Sequence, residues 1–584
     1  MPPDLGVDEK CFLTWIPREL LDAIVSRLPN SAIKSLRATN KLFNRRVPLR
    51  IGRVFLSANS LNIQVFRAIA DHEQFRQGVT EIVWDDARLL DSDAYIDGWR
   101  ARRGQGLIPS RQVPRDCPEW FQAGRKDSLE VLFNVFDGGE RNTIPDNVMS
   151  LEDCWQYYKT MLLDQNKVLD SGLDIEALKY GLVRFPSLKR ITLTPSAHGS
   201  GIGHPAYETP MLRAFPSTFA YPIPRGWPGH DEETASPETW PWNDGSLGHR
   251  EVHASDCTLE EYKNIWRGFR VVLRTLAETE HNVSEFVMAM HHRNTGMNCH
   301  IFDQPCQEYQ DFAALLSRPG FRRLDLALCT SYLELEEWYS FRSGLLRNAL
   351  AAATDLEHFS ISSNMDIDAD GVASAALDND VALDEAALPL PIVFPVEKWP
   401  HLKHFGITRF LVFQSDLIRL LQSLPESLSS VELSYLSFVE EDKSYMTLLC
   451  EMRQKPHWQE RPAIQRPKVQ IKLYRQHMHI PGYYVCVDKA ADRFIYSNST
   501  ELGCNPNPFG EGDGLGYNPV EGLGAVDRDY LNPNFERPHD LNGNELLSEY
   551  LLSLSALSST LMHRISGTDE RSKGPHSGPY VAGG

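Results

Sequence analysis

One short pattern recurs along this chain and constrains its fold more than any other feature. An apolar residue is followed by two others, an apolar residue, one other, and a third apolar residue. The pattern occurs as Val79-Ile82-Trp84, Leu188-Ile191-Leu193, Val283-Phe286-Met288 and Phe321-Leu324-Leu326. It returns as Leu356-Phe359-Ile361, Leu402-Phe405-Ile407 and Leu428-Val431-Leu433. Its last two apolar positions alternate with others, as a half-buried strand requires. Helical stretches lie between copies, over Gln310 to Leu316, Phe341 to Ala352 and Ser415 to Leu424. Prolines stop the preceding segment in Phe185-Pro186-Ser187-Leu188 and Trp399-Pro400-His401-Leu402. Strand, turn and helix in alternation predict an α/β fold built on a parallel sheet.

The pattern resembles the strand portion of the leucine-rich repeat. That resemblance implies a solenoid whose sheet, or the loops beside it, binds a protein ligand. The spacing is irregular, with copies starting at 321, 356, 402 and 428 and longer gaps before them. The Asn or Cys of the repeat, three residues after the last apolar position, occurs only as Cys329 and Asn364. The expectation is an irregular, leucine-rich-repeat-like array over 51–475, interrupted at about 98–148, 195–256 and 364–390, with a partly disordered extension over 476–584.

The interruptions differ in composition. Residues 98–148 are rich in Arg, Gly, Pro and Asp and read as an irregular excursion. The stretch 195–256 carries Trp227, Trp240 and Trp242, so it reads as a loop packed on the body that offers a partner surface. Asp366 begins Asp-Ile-Asp-Ala-Asp-Gly, similar to the opening of a calcium loop. The twelfth position is Leu377 where a bidentate Glu is required, which leaves a flexible acidic loop. Lys468 to Tyr474 and Tyr483 to Val487 read as a last pair of strands, and the glycines at 510, 512, 514 and 516 as a loop.

Residues 10–50 form a separate helical unit. Ile16 and Pro17 lead into Leu20, Leu21, Ile24, Val25 and Leu28, a stripe along one side of a helix. Pro29-Asn30-Ser31 breaks it, and a second helix carries Ile33, Leu36, Leu42 and Phe43. Two such helices make a poor independent core, since domains below about 40 residues usually need a partner, a metal or a disulfide. Pattern alone leaves two readings open: docking on another protein, or packing on the body of this one.

The run Ile16-Pro17-Arg18-Glu19-Leu20-Leu21 with Ile24, Leu28, Ile33, Leu36-Arg37 and Phe43 resembles the F-box, with Ile16 in place of its usual opening Leu. F-box segments bind the Skp adaptor of cullin–RING ubiquitin ligases. Joined to a repeat body, as in many fungal F-box proteins, the resemblance implies a substrate receptor of an SCF-type ligase. It reaches the cullin and RING subunits through the adaptor and holds a protein substrate that the sequence does not identify. Ile16, Pro17, Leu20, Leu21, Ile24, Leu28, Ile33 and Leu36 would then be the adaptor-binding set. The competing account is a repeat scaffold with no ligase role, whose first helices cap the array and bury Leu20 and Ile24 near Val54 and Leu56.

Charge and motif content narrow the remaining classes. The net charge is -19 over 584 residues, the opposite of the basic surplus of a nucleic-acid binder, although Arg37, Lys41, Arg45, Arg46, Arg50 and Arg53 suggest a local basic patch. No apolar run approaches the ~18 residues of a membrane span. Ten cysteines without framework spacing fit reduced thiols and a cytoplasmic or nuclear location. His291, His292, Cys299 and His300 cluster, as do His477 and His479, but neither group has the paired spacing of a zinc site. The expectation is a non-catalytic chain with no cofactor and no metal. No Gly-x-Ser-x-Gly elbow, Walker lysine loop or His-Glu-x-x-His helix occurs.

Overall fold

The computed structural model describes residues 16–525, apart from position 29, segments 92–115, 135–147, 200–204, 229–241, 243–258, 331–337, 366–386, 474–482, 498–506 and 510–522, and a few single positions and pairs. Its core is one parallel sheet. In chain order the main strands are β1 (Arg53–Ser57), β2 (Glu81–Asp85), β3 (Arg190–Thr194) and β4 (Glu285–Met288). They continue with β6 (Arg323–Cys329), β7 (His358–Ser363), β8 (His404–Thr408), β10 (Ser430–Ser434) and β12 (Lys468–Gln470), while the short β9 (Leu411–Val412) and β11 (Ser437–Phe438) pair with each other. Each pairs in parallel with the next, so the spatial order follows the sequence; the two-residue β5 (Met297–Asn298) also pairs with β6.

All seven copies of the pattern end on strands. An eighth, Ile51-Val54-Leu56, forms β1, and β12 keeps only its last two apolar positions, Val469 and Ile471. Arg466 stands where the first would be and donates to the carbonyls of Arg461 and Gln459. The register brings Val54, Ile82, Ile191, Phe286, Leu324, Phe359, Phe405, Val431 and Val469 side by side. All are buried, and each contributes roughly 1.5–3 kcal/mol by leaving water.

Helices cover that face of the sheet and share its core. Among them are Ser60–Asp71, Leu173–Arg184, Arg267–Glu278, Gln307–Leu316, Leu345–Ala352, Gln414–Ser423, Tyr445–Gln454 and Asp488–Tyr496. Arg267–Glu278 shows why such segments are helical: Phe269, Val272, Leu273 and Leu276 lie on one side at helical spacing, and all are buried. Two close approaches fix this layer. A Cβ at Gly268 would stand 2.6 Å from the Asp86 Cγ, and one at Gly181 would stand 2.3 Å from the Phe66 ring.

Several expectations need correction. Phe341 to Ala352 is two helices, Tyr339–Arg342 and Leu345–Ala352, because Gly344 takes a left-handed φ of 82° between them. The stretch 98–148 is not wholly irregular, since Glu119–Asn134 is a helix whose Phe121 packs with Trp155 and Tyr158 of helix Leu151–Ser171. The large core also runs past 475, taking in Val487, Ala491, Phe494, Ile495 and Phe509. The last strand pair exists, as β13 (Lys472–Leu473) against β14 (Tyr483–Cys486), but it is antiparallel and separate from the main sheet. The acidic segment 366–384 and the glycines from 510 lie outside the described residues. Among the described residues, no helix is long and apolar enough to cross a membrane.

Candidate functional site

The N-terminal unit has its own small core. Helices α1 (Arg18–Val25), α2 (Asn30–Thr39) and α3 (Lys41–Arg46) close over Leu21, Val25, Ile33, Phe43 and Val47, with Ile16, Leu28, Leu36 and Leu49 packed around them. Leu49 is the last residue of this cluster, and Ile51 already packs on the sheet core. Backbone capture holds the unit together. The Arg50 guanidinium donates to the carbonyls of Ser26 (2.6 Å) and Leu28, Asn30 exchanges two bonds with the Arg50 backbone, and Arg37 donates to the Val47 carbonyl (2.6 Å).

This packing divides the eight candidate adaptor contacts. Leu21 and Ile33 are buried inside the unit, while Ile16, Leu28 and Leu36 are half-buried around that core. Pro17, Leu20 and Ile24 face outward, with Leu20 58% exposed and Ile24 45% exposed. Val54 and Leu56, which a capping helix would have met, are buried in the sheet core instead. The expected basic patch is dispersed: Arg37 and Arg50 bind backbone, Arg53 pairs with Glu81 at 2.7 Å, and Lys41, Arg45 and Arg46 remain exposed.

The second candidate surface is the helix-free face of the sheet. Its first row, in register, is Arg53, Glu81, Arg190, Glu285, Arg323, His358, His404, Ser430 and Lys468. Over β1–β4 this row is self-neutralised, with Arg53 on Glu81 (2.7 Å), Thr192 donating to Glu81 (2.6 Å), and Arg190 on Glu285 (2.5 Å). Arg323 makes two bonds to Asp325 (3.0 and 2.7 Å), and the His358 Nε2 lies 3.1 Å from the same carboxylate. Burial alone would raise the Asp325 carboxyl, but Arg323 and His358 hold it well below the usual carboxylate range.

His358 stacks on His404 with ring centroids 4.1 Å apart and planes within 11°. Ser360 Oγ lies 3.2 Å from the His404 Nε2, and Ser430 Oγ lies 2.8 Å from its Nδ1. Burial, reinforced by the adjacent His358, pushes the His404 imidazole down to about 3, against weaker pulls from Glu432 and Asp325. These residues escaped the motif reading because they occupy its variable positions. The strand period alone assigns them to one face.

The 195–256 segment is not a free surface where it is described. Ala197, Ala206 and Tyr207 cover Val83 on the helix-free face, and Tyr207 packs against Phe55 and His291. Trp227 and Trp242 are buried, donating to Asp86 (2.8 Å) and Glu308 (2.9 Å); Trp240 lies outside the described residues. Beneath this cover, burial pushes the Asp85 carboxyl up to about 8. Its Oδ1 accepts from the Ala87 amide, and its Oδ2 has no hydrogen-bond partner among the described residues.

Among the described residues, the candidate metal ligands do not come together. Cys299 is fully buried, His300 Nδ1 pairs with Asp303 Oδ2 (2.7 Å), and His291 packs on Tyr207. His292, His477 and His479 lie outside the described residues, among which no His, Cys, Asp and Glu group is arranged to hold a metal ion. No model of a known protein family matches the chain, and no curated protein matches it.

Proposed function

We propose that this chain is a non-catalytic substrate receptor of an SCF-type cullin–RING ubiquitin ligase. The F-box-like unit binds the Skp adaptor, and a leucine-rich-repeat-like body holds the protein substrate. One observation carries the reading: Leu20 and Ile24 stay exposed on a unit whose own apolar core is already closed by Leu21, Val25, Ile33, Phe43 and Val47. Exposed apolar side chains beside a complete small core are what a docking surface supplies. The scaffold account would instead bury them on the body.

The repeat reading draws support from strands that pair in chain order and from Asn364, whose side chain accepts from the Thr330 amide across one turn of the array (2.8 Å). The receptor acts by proximity, raising the effective concentration of a substrate lysine near the ubiquitin donor. Its own residues perform no bond chemistry. The test is capture of purified Skp adaptor by the wild-type chain and by a Leu20→Asp, Ile24→Asp variant. Tight capture that the variant loses is the expected result, whereas no capture by a well-folded wild type overturns the reading.

A further inference from the structure

The helix-free face is closed in one half and open in the other. Every residue of β2 is buried, and β3, β4 and β6 are buried beyond their first positions; the chain around Tyr207 lies on this half at Val83. On β7 burial alternates strictly: Phe359, Ile361 and Ser363 are buried, while His358, Ser360 and Ser362 are half-buried. On the neighbouring strands, His404, Thr408, Ser430 and Glu432 share that half-open state. We infer that this open half, across β7, β8 and β10, is the surface that takes the substrate, and that it takes an extended peptide segment of uncharged polar residues carrying no phosphate. This rests on the receptor reading above.

The chemistry of the face selects the occupant. Between the two histidines and Ser434 the side chains are small and hydrogen-bonding, apart from Glu432, which Lys472 and Ser434 hold. The Ser362 and Thr408 hydroxyls bond to no other described residue. Gly406 lets Ser360 and His404 close over β8, since a Cβ there would stand 2.7 Å from Ser360 Oγ and 3.3 Å from His404 Nε2 and would push both out of place. Three strands span about 10 Å, the reach of roughly three extended residues.

Recognition of a phosphate or an acidic motif needs cations in a bidentate or clustered arrangement. Most cations of this region are already committed, and the exposed Lys468, one strand beyond on β12, adds a single cation and no cluster. Arg323 is held by Asp325 through two bonds, Lys472 by Glu432 (2.8 Å), and Arg409 bonds Asn294 and lies over the Tyr435 ring at 4.8 Å. A charged side chain laid on this face would lose water and meet no cluster of opposite charge, whereas amides and hydroxyls would find matching donors and acceptors.

The test is selection of random displayed peptides on the full-length wild-type chain, with a parallel library phosphorylated at Ser and Thr. Enriched peptides are then titrated against wild type, Gly406→Val, and a Ser362→Ala, Thr408→Val pair that leaves the core untouched. The expected peptides are poor in charged residues and bind without phosphate. Their affinity should fall about tenfold in Gly406→Val and severalfold in the hydroxyl pair. No enrichment, dependence on phosphate, or equal binding by the hydroxyl pair overturns the inference. Urea unfolding of the same variants, compared with wild type, reports whether their sheet is folded. The Leu20→Asp, Ile24→Asp chain should still bind the peptides, so failure of adaptor docking and failure of this surface read out separately.

Discussion

The two halves of the sheet are built on one register yet have opposite helix-free faces. Over β2–β4 that face has become interior: Val83, Thr192 and Val287 are buried, and the charges of the first row pair with one another. Over β7–β10 the same positions hold Ser360, Gly406 and Glu432, and no described segment lies over them as Tyr207 lies over Val83. The difference arises from the long segment after β3, which the chain folds back over the first half. A strand pattern therefore sets which side chains share a face. It does not set whether water reaches that face.

Substitutions can sharpen this contrast. The largest effect is expected from Gly268→Val, a reference on the helix side where both halves are closed, because its Cβ would collide with Asp86 and Trp84. A loss of about 3 kcal/mol or more is expected from urea unfolding. Tyr207→Ala comes next, removing the ring that packs on Phe55 and lies beneath the Arg53 guanidinium. It should cost ~2–4 kcal/mol. Ser362→Ala on the open half should change stability by less than about 0.5 kcal/mol. Equal losses for Tyr207→Ala and Ser362→Ala would erase the distinction between the halves.

The legible part of the fold was what short-range periodicity encodes. The seven pattern copies each became a strand, and the helices at Gln307–Leu316 and Gln414–Ser423 fall within a few residues of their expected bounds. Ile51-Val54-Leu56 carries the same signal, three residues after Pro48 and directly behind the N-terminal helices. The helices Leu151–Ser171 and Arg267–Glu278 were equally readable by period. They lie beside the interruptions at 98–148 and 195–256, whose loop-like composition breaks the period on one side of each helix. The site was legible only in part. Eight apolar residues of the N-terminal unit could be named, but which of them close its core depends on how α1 meets α2 and α3, a tertiary fact. The His358–His404 stack joins residues 46 positions apart and could be found only through register.

A pH scan adds a third probe of the covered half. The Asp85 carboxyl is pushed up to about 8 by burial, from an ordinary value of 3.8. The folded chain therefore keeps a proton that the unfolded chain releases above about pH 4. The stabilising contribution is complete at low pH and is lost as pH rises through about 8. Asp85→Asn, which cannot ionise, should remove that slope and leave the variant more stable than wild type by ~1–3 kcal/mol near pH 8. Urea midpoints at pH 5 and pH 8 decide it. Parallel slopes in the two proteins would mean that water reaches Asp85, and the cover over this half would then be looser than its packing implies.

The pH effect on the open half is smaller than that of Asp85 and has the opposite sign. His404 is pushed down to about 3 from an ordinary 6.5, first by burial and then by the stacked His358. Asp325 and Arg323 of β6 and Glu432 of β10 also face it, the acids favouring the proton and the arginine opposing it. The unfolded chain takes up a proton below about pH 6.5, whereas the folded chain does not until about pH 3. This contribution is therefore present above pH 6.5 and lost as pH falls through that window. His404→Gln should flatten the wild-type decline between pH 6.5 and pH 4, by about 1 kcal/mol at pH 4, as read from the difference between the two unfolding curves. Carboxylates titrating in the same window cancel in that difference. A much steeper His404 slope, comparable to that of Asp85, would mean that the floor of the open half is as closed to water as the covered half. The two faces would then differ in chemistry but not in access.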